Sequence, residues 1–234
     1  MSVLTSVGIL VLSALVLTFF QLIPGIFAYF NHYTHGKYSY KRASDLATFF
    51  ILGVETAVVL VFLCLYTILC CSPAITFIID SEIFAWILAG IILALAFVIF
   101  GLYYRSGPGS KLFISRRLAT SFNTRITSTK FRSDAFILGL ISIVPELIFT
   151  LPIYLITLIT ILHLNLISPA RAGIIILFAF IVILPLFIIR TFTSTTHNLA
   201  DYLKFRFKNK TFIRCCIPLF YFIIASLIII GATL

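Results

Sequence analysis

Long apolar runs alternate with short polar segments along the whole chain, and the charged residues collect in the polar segments. Six runs are long enough to span a bilayer: near Val3 to Phe30, Leu46 to Cys71, Ile83 to Tyr104, Ala135 to His163, Ala172 to Ile189 and Cys215 to Leu234. About 20 residues of helix cross a hydrocarbon core roughly 30 Å thick. Because lipid offers the backbone no partner, uninterrupted runs of this length predict helices, which satisfy their own N–H and C=O groups. The expected fold class is all-α transmembrane.

The order of the runs suggests more. Three lie in residues 1–104 and three in 135–234, on either side of a basic segment, 105–134. An odd number of spans per half would make two copies of one unit point opposite ways in the membrane. The predicted architecture is a six-helix bundle built from two inverted three-helix repeats. Gln21-Leu22-Ile23, ending at Tyr29, matches Glu146-Leu147-Ile148, ending at Tyr154, at one common offset, and prolines accompany both stretches. Proline-interrupted segments at corresponding places in two halves point to a transporter site near the midplane.

Composition agrees with a polytopic membrane protein: of 234 residues 62% are hydrophobic and 10% charged. The net charge of +10, from 17 Lys and Arg, reads as topology rather than as a nucleic-acid site. Lys37, Lys41 and Arg42 fill the first loop, Arg105 to Arg132 the third, and Arg190 to Arg214 the fifth; the second has Asp80 and Glu82, and the fourth Arg171. The positive-inside rule then puts the odd loops in the cytoplasm and both termini outside. The expected location is a cell (plasma or inner) membrane, crossed several times. Anionic lipid at the cytoplasmic face is the expected partner of the basic loops. The first apolar run lacks a basic n-region and exceeds a signal peptide's apolar length, so it reads as a retained helix.

Against this background the polar residues inside the runs carry the functional argument. Glu146 sits in Ile-Ser-Ile-Val-Pro-Glu-Leu-Ile-Phe-Thr-Leu-Pro-Ile-Tyr, 141–154, between Pro145 and Pro152. A charged residue at the centre of a spanning helix costs about 2.5 to 3.5 kcal/mol on insertion scales. Each proline removes a backbone donor, so a kink or break is expected where the acid lies, with freed carbonyls beside it. Glu55 lies in the second run. Counted from the charged loops, Glu55, Glu146 and Gln21 are each about nine to eleven residues deep, some 14 to 17 Å. Two carboxylates near one level would exchange a proton or hold a cation between them. The same residues, neutral and hydrogen-bonded to neighbouring helices, would equally serve packing. Pro24, Gly25, Pro145 and Pro152 are the candidate hinges, Thr56 and Thr150 the candidate hydroxyl ligands. Gly53 would admit a close helix approach near Glu55.

Other residues point elsewhere only weakly. Cys70-Cys71 and Cys215-Cys216 fall on opposite faces in this topology, and metal-site spacings are absent. His32 and His35 read as interfacial. With no Gly-x-x-x-x-Gly-Lys motif there is no sign of ATP use, and no cofactor is implied.

In layout the chain resembles the LysE-type exporter superfamily. The resemblance rests on Pro24-Gly25 in the first span, Lys41-Arg42 entering the second, Phe100 to Arg105 closing the third, the charged central segment, and Ala135 to Leu140 opening the fourth. The family's first-span Pro-Gly-Pro stands here as Pro24-Gly25-Ile26, and its fourth-span Asn-Pro-Lys falls on Val144-Pro145-Glu146, an acid in place of a base. The resemblance implies inverted three-helix halves and export of a small solute. The acid directs the expectation to a cationic or zwitterionic solute such as an amino acid, or to a divalent metal, coupled to protons. The chain is thus expected to be a secondary transporter and not an enzyme, with a small solute or ion as partner, no nucleic acid, and a homo-oligomer left open. A membrane scaffold with structural acids and, lower, an intramembrane lipid-modifying enzyme are the alternatives.

Overall fold

The computed structural model describes residues 3–19, 22–71, 77–79, 81–103, 116–164, 167–192 and 210–233, and among them the regular structure is helical throughout. In chain order the helices are α1 (Val3–Phe19), α2 (Leu22–Lys37), α3 (Tyr40–Cys71), α4 (Glu82–Val98), α5 (Arg116–Ser128), α6 (Arg132–Ser142), α7 (Leu147–His163), α8 (Ser168–Phe192) and α9 (Lys210–Thr233). A π-helical turn, Ile99–Tyr103, continues α4. Helices α3, α4, α8 and α9 are each long and apolar enough to cross a membrane, and the bent pair α6–α7 makes a fifth such segment if counted as one.

Two of the expected runs differ in form. The first extends further: the described helix α2 continues to Lys37, beyond the expected end at Phe30. The fourth is broken between Ser142 and Leu147 with a bend of 77°. The central basic segment also holds structure that its charge concealed. Phe122 and Ile126, one helical turn apart, are both buried in α5, and this apolar stripe turns a basic sequence into an amphipathic helix packed on α2 and α6.

Local sequence explains several helix ends. Ser81 caps α4, its hydroxyl accepting the Phe84 N–H at 3.3 Å, and Glu82 lies in the first turn, where the helix dipole favours an acid. Asp134 does the same for α6, its Oδ2 accepting the N–H groups of Lys130 at 3.3 Å and Phe131 at 3.1 Å. Pro24 falls in the first turn of α2, where a missing N–H leaves no intrahelical bond unmade.

The principal packing joins α3 to α6 and α4 to α9, with α1 lying against α7, α8 and α9. The α3–α6 crossing is made by glycines, as the sequence led one to expect for Gly53. A Cβ on Gly53 would run into the Phe136 carbonyl oxygen and lie 3.2 Å from Gly139 Cα; one on Gly139 would run into the Phe50 carbonyl and lie 3.1 Å from Gly53 Cα. The backbones therefore touch directly, which only paired small residues allow. Contacts fix the directions. Asp45 meets Arg132 and Gly53 meets Gly139, so α3 and α6 run the same way. Arg190 donates to Ser44 Oγ at 3.0 Å, and Phe62 stacks edge-on against Phe178 at 5.6 Å, so α3 and α8 are antiparallel. At the polar end, Lys37 donates to the Tyr33 hydroxyl at 3.2 Å, a bond that raises the lysine's pKa above its usual value.

Candidate functional site

Pro145 starts the break that carries Glu146. In a continuous helix the Ile141 carbonyl would take the N–H of residue 145, which proline lacks; it takes the Val144 N–H at 3.1 Å instead. The Glu146 N–H, due to Ser142, bonds Ile143 O at 2.9 Å. The chain thus tightens into a four-residue turn over 143–146, and the Ser142 carbonyl loses its usual donor. Glu146 is then the residue from which α7 grows, its own carbonyl accepting the N–H groups of Phe149 and Thr150, both at 2.9 Å. The carbonyl freed by the break belongs to Ser142, while that of Glu146 is fully used.

The Glu146 side chain is 2% exposed. It heads a buried polar stripe along α7: Thr150, Thr157 and Thr160 follow at helical spacing, and Tyr154 is buried among them. Each threonine donates to a carbonyl four residues back, Thr150 to Glu146 at 3.0 Å, Thr157 to Ile153 at 2.7 Å and Thr160 to Ile156 at 2.8 Å. Their hydrogens are spent within the helix, and each hydroxyl retains lone pairs that accept a proton donor or a cation.

Of the other expected site residues, the structure joins only some to this turn. Pro145 and Thr150 belong to it. Pro152 lies inside α7, which runs through it. Glu55 is half-buried on the flank of α3 opposite Gly53, two residues away and so about 200° around the helix. It makes no hydrogen bond or ion pair among the described residues. Thr56 donates to Leu52 O at 2.8 Å within α3. Gln21 lies outside the described residues, as does the side chain of Pro24, and Gly25 follows it within α2.

Hydroxyl support of the proline helices is a feature that sequence reasoning missed. Tyr221 of α9, fully buried, donates to Phe149 O at 2.9 Å, the carbonyl three residues before Pro152. Thr18 of α1 donates to Val182 O at 3.4 Å, three residues before Pro185 in α8. The carbonyls that lose a donor to these prolines lie four residues back, at Ile148 and Ile181; the hydroxyls reach the next carbonyl along each helix and tie α9 and α1 to the proline-containing turns. The prolines were visible in the sequence; which hydroxyls reach them depends on packing. Tyr221→Phe is expected to cost about 1 kcal/mol, the usual scale of a hydrogen bond between membrane helices, read as a lower thermal unfolding midpoint in detergent. Thr18→Val, which loses the longer bond, is expected to cost less.

Two cavities are associated with the helix ends. One of about 550 Å³ lies between the starts of α3 and α6, and one of about 220 Å³ lies among the start of α4 and the ends of α7 and α9. Neither is lined by Glu146 or Glu55. The class so defined is an all-helical membrane protein in which a broken apolar segment carries a buried acid. Compared with known proteins, the chain matches no family model, no curated protein and no solved structure.

Proposed function

We propose that the chain is a multi-pass secondary transporter of a cell membrane, built from two inverted three-span halves and exporting a small cationic or zwitterionic solute, or a divalent metal ion, against protons. The observation that carries this reading is Glu146, a buried acid at the proline break of a bent apolar helix pair. The break supplies a hinge, the acid a proton or cation site, and the threonine stripe below it a row of acceptors. The observed starts of α3 and α8, Tyr40 and Ser168, lie 128 residues apart, close to the 125 that separates the matched Leu22 and Leu147. Helices α3 and α8 run antiparallel, as equivalent helices of inverted halves must. The resemblance in layout to the LysE-type exporters points the same way. With both termini outside, the polar end bearing Lys41 and Arg132 faces the cytoplasm.

A second reading has its own support. The glycine crossing of α3 on α6 is close-packed and neither cavity reaches Glu146, which suits a membrane scaffold whose acids only hold helices together. Proteoliposomes with an internal pH dye separate the two. A transporter acidifies or alkalinises the lumen when one of a panel of lysine, arginine, a neutral amino acid or a divalent cation is added. A panel that moves no proton in either orientation removes the transporter reading.

A further inference from the structure

The 550 Å³ cavity gathers positive charge in a way that neither the break at Glu146 nor the packing of α3 on α6 requires. Lys41 and Arg42 come from the first turn of α3, Lys130 and Arg132 from the start of α6, and Asp45 is the one carboxylate in the lining. That acid is already used, by Arg132 at 2.6 Å. Asp134, just outside, is taken by the backbone N–H groups of Lys130 and Phe131. The two arginines are held in place. Arg42 donates to Lys130 O at 3.1 Å and lies 4.7 Å from the Tyr38 ring centre, and Arg132 lies 5.4 Å from that of Phe49. Tyr38 in turn donates to Thr129 O at 3.1 Å, tying the two walls together. Among the described residues the Lys41 and Lys130 ammonium groups have no hydrogen bond or ion pair.

Four cations around one cavity repel each other, and an anion seated there relieves the repulsion while pinned guanidinium groups offer it a fork of donors. We propose that this cavity binds a phosphate group carried by an anionic lipid. The lipid source follows from the apolar part of the lining: Leu46, 1% exposed, is among the first core residues of α3, and Phe131, 66% exposed, stands on the rim. From this end α3 and α6 pass directly into apolar sequence, so the cavity lies at the level where headgroups lie. The inference localises the general attraction of basic loops for anionic lipid to one pocket, and it holds for a transporter or a scaffold alike.

Native mass spectrometry of the full chain in detergent, with phosphatidylglycerol and phosphatidylcholine added in equal amounts, tests it. Phosphatidylglycerol is expected to remain bound in preference. Lys41→Gln and Lys130→Gln, which disturb no internal contact, should each lower its occupancy roughly five-fold, the factor corresponding to about 1 kcal/mol per basic residue near a lipid surface. Arg125→Gln removes the same charge from an exposed position of α5 outside the cavity and should leave occupancy unchanged. No preference for phosphatidylglycerol, or equal losses in all three variants, overturns the proposal. Millimolar inorganic phosphate added to delipidated protein distinguishes the source. Phosphatidylglycerol is expected to raise the thermal midpoint and inorganic phosphate not to; an equal rise with phosphate overturns the lipid assignment.

Discussion

Glu146→Gln is expected to fold as the wild type does and to lose all solute-driven proton movement in proteoliposomes. The amide has the shape of the acid and keeps its hydrogen-bonding capacity, so at a site only 2% exposed the substitution neither opens a cavity nor leaves a polar group stranded. A stability change within about 1 kcal/mol is expected, in line with the modest worth of hydrogen bonds between membrane helices. What the amide lacks is a proton to exchange at the pH of the assay, and coupling through this site fails with it. Flux measured with the best solute of the panel, alongside the thermal midpoint, gives both numbers. Glu55→Gln is the comparator: half-buried and without a hydrogen bond or ion pair among the described residues, it should alter the pH dependence of flux without abolishing it. Unchanged flux in Glu146→Gln would end the assignment of the proton site. A fall in stability with no flux to lose in the wild type is what the scaffold reading predicts.

Valine at Gly53 or Gly139 should be the most damaging single substitution for stability, costing about 3 kcal/mol or more, the upper end of the range for overpacking. The reason lies in what the new carbon would meet. At both positions it overlaps a backbone carbonyl oxygen of the partner helix, and a carbonyl held in a helix cannot rotate aside as a side chain does. The helices must separate, which loosens the face on which α6 leads into the break at Glu146. Even Gly53→Ala should lower the unfolding midpoint by several degrees. Gly90 and Gly173 provide the contrast, since nothing lies within 4 Å of a Cβ at either. Alanine there should be neutral or stabilising, by up to about 1 kcal/mol from helix propensity. Equal effects of alanine at Gly53 and Gly90 would show that the crossing does not hold the bundle.

The site was partly legible in advance for a simple reason. An acid and two prolines inside an apolar run are local facts, and the rule that proline interrupts the hydrogen-bond ladder acts within four residues. The turn at 143–146 and the burial of Glu146 follow from that rule together with hydrophobicity. The small-residue contact at Gly53 was half legible, because a glycine announces that something approaches closely without naming the partner. The pairing of Glu55 with Glu146 was inferred from depth alone. Depth counted in residues assumes unbroken, upright helices, and it carries no information about the direction in which a side chain leaves its helix. On α3, Glu55 leaves on the flank away from the glycine crossing and makes no hydrogen bond or ion pair among the described residues. Helix α5 escaped notice because the two apolar residues that make its buried stripe, Phe122 and Ile126, are outweighed in any local average by the basic residues around them.

Taken alone, the order of residues determined that this chain is helical, where its long apolar helices lie to within several residues, and that the fourth run breaks beside an acid. Each of these depends on interactions along a single segment: the need of a backbone in lipid to satisfy itself, the length of a bilayer crossing, and the missing donor of proline. Tertiary structure alone decided that Gly53 meets Gly139, that Tyr221 reaches the Phe149 carbonyl in the turn before Pro152, and that Lys41, Arg42, Lys130 and Arg132 surround one cavity. Those contacts join residues up to roughly ninety positions apart. Which face of a helix meets which neighbour is set by the packing of all the helices at once, and no single segment contains it.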